Sequence, residues 1–181
     1  MAAYIAMLRG VNVSGHNTIN MEVLRGLCEG LGFRNVDTYI QSGNLVFQSA
    51  TENPAIFSKR IGEAILQSFG FDTPVIVRTS KEMRNVIANN PFLKEEGIDS
   101  SKLHVTFLSE TAQKGSVKKL QTLATSPDRF YPAFREIYLH CPGGYGRTKL
   151  SNNAIEKSLS VRATTRNWKT TNMLFEIVSK L

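Results

Sequence analysis

The hydrophobic pattern of this chain predicts one order of elements, β-α-β-β-α-β, in each half of its 181 residues. In the first half we predict helices at 21–31 and 54–69, with strands at 3–9, 36–41, 44–49 and 74–79. The second half adds a helix from Lys81, one at 111–124, a short one after Ser151 and one at 168–180, with strands at 102–108, 129–134, 136–141 and 161–163. This order predicts an α+β protein with subdomains at 1–80 and 81–181. Each subdomain should hold a four-stranded antiparallel sheet with two helices on one face.

Local signals predict where several of these elements begin and end. Asn53 is a predicted N-cap, because Pro54 follows it in the first turn of the second helix, and Gly70 ends that helix. Ser42 and Gly43 predict a two-residue hairpin turn between the second and third strands.

Composition limits the class of protein. Hydrophobic residues make up 41% of the chain, which is enough for one sizeable core or two small ones. No apolar run approaches the roughly 20 residues of a membrane span, and the first residues lack a signal-peptide pattern. Cys28 and Cys141 form no CxxC pair, which favours reduced thiols. We therefore expect a cytoplasmic protein without a membrane partner; the oligomeric state is left open.

A loop rich in glycine and asparagine, Arg9–Asn17, follows the first strand. Such a loop can turn successive backbone N–H groups toward one point and hold an anion. His16 and Asn17 stand where the phosphate loop GxxxxGK[ST] has its Lys and its hydroxyl, so a nucleotide-hydrolysing site is disfavoured. A backbone anion site and a loop whose glycines only permit tight turns both stay open. The candidate ligand-binding residues here are Arg9, Asn12, Gly15 and Asn17.

A second polar segment, Gln41–Asn44, lies at the end of a predicted strand. Arg9 ends a strand that should neighbour it or lie one strand away. A guanidinium and an amide at adjacent strand ends can clamp a carboxylate or a phosphate. Turn formation alone also explains these residue types. We take Gln41, Ser42 and Asn44 as candidate ligand-binding residues.

The positive excess of the chain lies entirely after residue 80. The first eighty residues hold six basic and six acidic side chains, whereas the net charge of the whole chain is +7. Between 147 and 169 six basic residues face a single acidic one, Glu156. A solvated surface explains such a run, and an anion or nucleic-acid surface is the alternative. The candidate residues here are Lys149, Arg166, Asn167 and Trp168, although Trp168 also fits helix packing.

The sequence predicts no metal site and no cofactor. His16, His104 and His140 are not accompanied by an HExxH motif, a cysteine pair or a close carboxylate cluster. We expect His104 and His140 to project from the same exposed face of the second sheet. The third strand also lacks the aromatic pattern with which an RNA recognition motif stacks bases.

Three segments, in order along the chain, resemble the hallmark strings of the bacterial domain-of-unknown-function 1697 family: Leu8–Val13, Thr38–Phe47 and Thr165–Thr170. The resemblance runs from end to end and implies two ferredoxin-like (α–β plait) subdomains. The chain differs in the first loop, where Ser14 and His16 stand in place of a second Gly and a Lys. The resemblance implies a fold and no activity.

Two functional hypotheses from different classes follow. The first is a protein that binds an anionic ligand in an inter-domain cleft: a nucleotide, a phosphorylated metabolite or a nucleic-acid backbone. The second is an enzyme in which Arg9, Arg166 and Lys149 orient an anionic small molecule for an unidentified general base. A structural or protein-interaction role is a third. We favour binding, because no nucleophile–base pair or metal set emerges.

Overall fold

The computed structural model describes residues 1–50, 53–113 and 115–181. The chain divides into two compact units, the first formed by Met1–Asn85 with Met173–Leu181 and the second by Val86–Asn172. Each unit contains one four-stranded sheet, and every strand pair in both sheets is antiparallel. The predicted α+β class, with two antiparallel sheets, is confirmed.

The first unit follows the predicted β-α-β-β-α-β order. Its elements are β1 (Ala2–Leu8), α1 (Met21–Gly30), β2 (Arg34–Thr38), β3 (Asn44–Ser49), α2 (Pro54–Phe69) and β4 (Val75–Thr79). The strands lie in the order β2-β3-β1-β4. As predicted, the Asn53 side chain accepts a hydrogen bond from Ala55 N at the start of α2, and Gly70 ends the helix at φ 78°.

An aromatic cluster fills the core of the first unit on the face of the sheet that α1 and α2 cover. The rings of Phe33 and Phe47 stack at 4.4 Å, and Tyr4 meets Phe57 edge to face at 4.8 Å. Phe57 is completely buried. This packing holds β1 and β3, whose ends carry the candidate site residues of the first half.

The second unit repeats the topology. Its elements are β5 (Leu103–Leu108), β6 (Arg129–Pro132), β7 (Glu136–His140), α4 (Asn152–Leu159) and β8 (Ala163–Asn167). The strands lie in the order β6-β7-β5-β8, which corresponds strand for strand to the first sheet. A buried cluster that includes Leu120, Leu139 and Ile155 packs on one face of this sheet. Ser151 caps α4, as predicted.

A helix follows the last strand of each sheet without an intervening linker residue. Helix α3 (Ser80–Ala88) follows β4, and the side chains of Thr79 and Glu82 form a reciprocal capping box at its start. Helix α5 (Trp168–Val178) follows β8, and Asn167 Oδ1 accepts a hydrogen bond from Thr170 N at 2.7 Å. The division between the two units falls inside both helices.

Three predicted elements differ from the structure. The predicted helix at 111–124 is a 3-10 helix at Ser116–Thr122; Lys114 lies outside the described residues. The predicted strand at 161–163 corresponds to β8 (Ala163–Asn167), which overlaps the predicted range only at Ala163. The strand predicted at 36–41 ends at Thr38, because Ile40 takes the left-handed conformation at φ 50°. The hairpin loop after it is therefore longer than two residues.

Candidate functional site

The loop after β1 has an alternating backbone conformation. The φ angle is positive at Gly10 (69°), Asn12 (53°) and Ser14 (50°), and it is not positive at the residues between them. Val13 and His16 form an antiparallel bridge in which His16 N donates to Val13 O at 2.9 Å, so Ser14 and Gly15 are the two central residues of a tight turn. Gly15 and Asn17 continue the loop at φ 76° and 49°. The loop therefore ends in a tight turn whose two tip residues, Ser14 and Gly15, both have positive φ angles.

The side chain of Asn12 fixes this loop from inside. Its Oδ1 accepts a hydrogen bond from Ile19 N at 2.8 Å, and its Nδ2 donates to Ile19 O at 3.0 Å and to Gln41 O at 2.7 Å. The amide therefore bridges the loop after β1 and the hairpin loop between β2 and β3. The Asn12 amide therefore holds two loops together, and its role in ligand binding stays a prediction.

Gly43 brings the hairpin loop against the end of β1. Leu8 N donates to Gly43 O at 2.8 Å, and a Cβ atom added to Gly43 would lie 2.4 Å from Val11 Cγ2. Within the hairpin, Asn44 Nδ2 donates to Ser42 Oγ at 2.9 Å. Ser42 and Asn44 thus shape the turn, whereas the Gln41 side chain is exposed.

A third segment reaches the same end of the first sheet. Arg9 N donates to Pro74 O at 3.0 Å, and Thr73 Oγ1 donates to Arg9 O at 2.7 Å. The backbone of Arg9 is held from the segment before β4, and its side chain is half-buried. The structure therefore brings together the first-half candidates Arg9, Asn12, Gly15, Asn17, Gln41, Ser42 and Asn44 at one end of one sheet.

Two backbone N–H groups of this region, within the described residues, make no hydrogen bond. Among the residues that the structure describes, the backbone N–H groups of Ser14 and Gly15 have no acceptor. Both residues are exposed at the tip of the loop. Backbone N–H groups that have no acceptor in the protein are suitable donors to a phosphate or a carboxylate.

The second-half candidates lie in the second unit, and they do not form one exposed surface. Arg166 is only 8% exposed, and its Nη1 donates to Thr164 Oγ1 at 2.7 Å and to Thr165 O at 3.0 Å. Burial lowers the pKa of the Arg166 guanidinium to about 10, which still leaves it charged at neutral pH. Trp168 is also buried. Asn167 is exposed but caps α5, and Lys149 is exposed.

Arg166 has a counterpart in the first unit that was not among the predicted site residues. Arg78 on β4 is completely buried and lies opposite Ile5 of β1, as Arg166 on β8 lies opposite Val105 of β5. Each arginine stands two residues before the helix that follows its strand. That shared spacing was a signal in the sequence. It identifies the two arginines as equivalent positions of an internal repeat.

The two histidines of the second sheet do not share a face, contrary to the prediction. His104 lies opposite Leu139 and His140 lies opposite Leu103, so their side chains are on opposite faces. Burial lowers the pKa of His104 below its usual value. No group of three or more potential metal ligands occurs within 1–50, 53–113 and 115–181.

The two cysteines are free and buried, in line with the predicted reduced thiols. Burial, reinforced by the charge of Glu29, raises the pKa of Cys28 to about 12, and burial raises that of Cys141 to about 11. Neither thiol is therefore activated as a nucleophile. In the described part of the chain, no helix combines the length and apolar character needed to cross a bilayer.

Two units with matching strand order, each with helical segments after its first and third strands, define a tandem ferredoxin-like protein, with candidate site residues on the loops at one end of its first sheet. The profile of the family "Protein of unknown function (DUF1697)" matches residues 1–138, and the chain belongs to this family. The solved structure of the conserved bacterial protein SP0830 from Streptococcus pneumoniae is similar, with 20% identity, 98% of each chain covered and a TM-score of 0.74. At that identity the similarity shows the fold alone. No curated protein matches the chain.

Proposed function

We propose that this protein binds a small anionic ligand, a nucleotide or a phosphorylated metabolite, at the loop that follows β1. The observation that carries the proposal is the backbone of this loop. Its φ angles alternate in sign from Gly10 to Ser14, and the N–H groups of Ser14 and Gly15 are uncommitted. Two neighbouring backbone N–H groups without an acceptor can donate to anionic oxygens without the help of a lysine side chain.

Preorganisation supports the proposal. The Asn12 amide ties the loop to the hairpin through Gln41 O, and Thr73 holds the carbonyl of Arg9. A loop fixed before binding loses little conformational freedom when the ligand arrives. Arg9 supplies the cationic group at the base of the loop. The free buried thiols fit a cytoplasmic location.

A second candidate ligand is a nucleic-acid backbone. One observation favours it: of the six basic residues between 147 and 169, all but Arg166 are exposed. Phosphate contacts of this kind make the logarithm of the binding constant fall linearly with the logarithm of the salt concentration.

The test is a thermal-shift and calorimetric titration with inorganic phosphate, ADP and a short single-stranded oligonucleotide. A ligand at 100 times its dissociation constant adds about 2.7 kcal/mol of stability. For a chain of this size that raises the Tm by about 5–11 °C. For a ligand at the first loop, Arg9→Ala should weaken binding about tenfold or more, since a hydrogen bond to a charged group contributes about 1.5–3 kcal/mol.

The matched control is Arg34→Ala, which removes an exposed arginine from β2 of the same unit. The control should leave the affinity within about twofold of the parent, because surface charges far from a site contribute little. Equal losses in the two variants, or no Tm shift with any probe, would contradict the proposed site. Binding of the oligonucleotide alone, with a steep salt dependence that Lys149→Ala reduces, would favour the second candidate.

A further inference from the structure

The end of the second sheet repeats the hydrogen bonds that end the first. Leu108 N donates to Arg135 O at 2.9 Å, as Leu8 N donates to the hairpin of the first unit. Ser109 N donates to Arg162 O at 2.8 Å, as Arg9 N donates to the residue before β4. Ser109 therefore occupies in the second unit the position that Arg9 occupies in the first. Arg9 carries a positive charge and Ser109 does not. A ligand at the end of the second sheet should therefore differ from an anion bound beside Arg9.

A cavity opens at this second end. Its volume is about 370 Å³, and it is lined by Ser109, Glu110, Glu156, Ser160, Val161 and Arg162. Cavities of roughly 300–1,000 Å³ are the usual size of small-molecule sites. The lining is mainly polar and charged, so the size and chemistry fit a small, highly polar ligand.

The lining residues are fixed by hydrogen bonds. Ser109 Oγ accepts from Arg162 N at 3.1 Å, which together with Ser109 N holds the backbone of Arg162 from both sides. Glu156 Oε1 accepts from Ala163 N at 3.0 Å and fixes α4 against β8. Ser160 ends α4 in the left-handed conformation at φ 56°, a strained state for a residue other than glycine.

Two side chains of opposite charge, Glu110 and Arg162, line this cavity without pairing with each other. Within the described residues, neither the Glu110 carboxylate nor the Arg162 guanidinium takes part in an ion pair or a side-chain hydrogen bond. Glu156 adds a second carboxylate, so the three charged side chains carry a net charge of −1. A carboxylate and a guanidinium that face one cavity but do not meet leave room for a ligand that satisfies both.

We propose that this cavity binds a small zwitterionic amine. Its primary ammonium group would lie at Glu110 and Glu156, and its carboxylate or phosphate would pair with Arg162. Charge-assisted hydrogen bonds at both ends select for a molecule that carries both charges. The cavity is formed by residues of the second unit alone, so this proposal does not depend on anion binding at the loop that follows β1. The carboxylates also make it unsuitable for a nucleic-acid backbone, since they repel phosphate.

The test is isothermal titration of the whole chain with four probes. Glycine and phosphoethanolamine carry both charges, ethanolamine carries only the ammonium group, and acetate carries only the anion. Glycine or phosphoethanolamine should bind with a dissociation constant of about 1 mM or tighter, as expected for a well-matched ligand of few atoms. Whichever of the two binds more tightly identifies the anionic group. Ethanolamine and acetate should bind at least about tenfold more weakly, because each forms one of the two charged contacts.

Two variants remove the charges one at a time. Glu110→Gln and Arg162→Gln should each weaken zwitterion binding by about tenfold or more, with Tm values within about 2 °C of the parent, because surface substitutions change stability little. Control variants Glu176→Gln and Arg34→Gln remove exposed charges from the first unit. They should leave the affinity unchanged within about twofold.

Arg9→Ala distinguishes ligand binding in this cavity from anion binding at the loop that follows β1. Zwitterion binding should survive Arg9→Ala, whereas any phosphate binding at the first loop should not. The proposal is overturned if neither zwitterion binds below 10 mM (about −2.7 kcal/mol), if single-charge probes bind as well, or if either cavity variant binds like the parent. Loss of zwitterion binding in Arg9→Ala would place the ligand at the first loop and would equally overturn it.

Discussion

Gly43→Ala tests the close contact between the β2–β3 hairpin loop and the end of β1. An alanine Cβ at this position would lie 2.4 Å from Val11 Cγ2 and 2.8 Å from Leu8 Cβ. Both neighbours are buried, so neither can move into solvent. The residue also has φ 74°, where a side chain is strained whatever the space around it.

Backbone strain and overpacking both contribute to the expected loss of stability. The left-handed backbone costs an alanine about 1–2 kcal/mol. Overpacking of a filled interior adds about 1–3 kcal/mol. We therefore expect Gly43→Ala to lower the free energy of unfolding by about 2–5 kcal/mol, from the sum of these terms. Gly70→Ala is the matched control in the same unit, because Gly70 has φ 78° and no atom within 4 Å of an added Cβ.

Urea unfolding of both variants provides the measurement. Gly70→Ala should lose only the backbone contribution, about 1–2 kcal/mol. In the Gly43→Ala background, Val11→Ala removes the nearest clashing atom. The double variant should therefore lose less than the sum of the single losses, by about 0.5–3 kcal/mol. Equal losses for Gly43→Ala and Gly70→Ala, or additivity with Val11→Ala, would refute the packing argument.

Three further predictions concern other interactions. Asn12→Ala should lower the free energy of unfolding by about 1–3 kcal/mol, because it leaves the peptide groups of buried Ile19 without their partner; an unchanged urea midpoint would contradict the bridge. Phe57→Ala should cost about 3–5 kcal/mol through the cavity left in the aromatic cluster, and a loss below about 1 kcal/mol would be inconsistent with that packing. His104 should titrate below 6.5 in the folded protein when followed by NMR, because burial disfavours its charged form. The unfolded state then binds more protons between the two pKa values. The stability contributed by neutral His104 is therefore present above pH 6.5 and lost as pH falls through the folded pKa, and a folded midpoint at or above 6.5 would exclude this.

Periodicity predicted most of the fold, because burial on one face leaves a direct trace in the sequence. The stripe of α2, with Phe57, Ile61 and Ile65, is buried as its spacing indicates. Its boundaries were also predictable, since Asn53 and Gly70 act through their own local geometry. These features need no knowledge of distant residues.

Strand β8 was not predictable in the same way. Its residues Thr164–Asn167 are polar, and polar runs are typical of loops. In the structure the strand lies at the edge of the sheet, and the Arg166 guanidinium is buried with hydrogen bonds to its own strand. Whether a charged side chain is buried depends on the groups that surround it in space. The hydrophobic periodicity of the sequence does not show which groups those are.

The loops that contain Arg9 and Gln41 were correctly expected to lie at one end of the sheet. Strands β1 and β2 are one strand apart and both antiparallel to β3, so they run in the same direction and their last residues lie at the same edge. Residue type alone did not show that the Asn12 amide joins two loops, because its partners Ile19 and Gln41 are distant in the sequence. The cavity of the second unit was not predictable from the sequence, because Glu110 and Arg162 are far apart in the chain and resemble ordinary surface charges.

The first unit is formed by two segments that are distant in the chain, and this affects its folding during synthesis. This unit contains residues 1–85 and also 173–181, and within it Gln48 Nε2 donates to Leu181 O. A ribosome adds about 5–20 residues per second. The second part of this unit is therefore made roughly 5–20 seconds after the first, at that rate. During that interval the nascent first sheet lacks contacts that it has in the finished protein, so translation speed over the second unit sets how long it is exposed to chaperones and proteases.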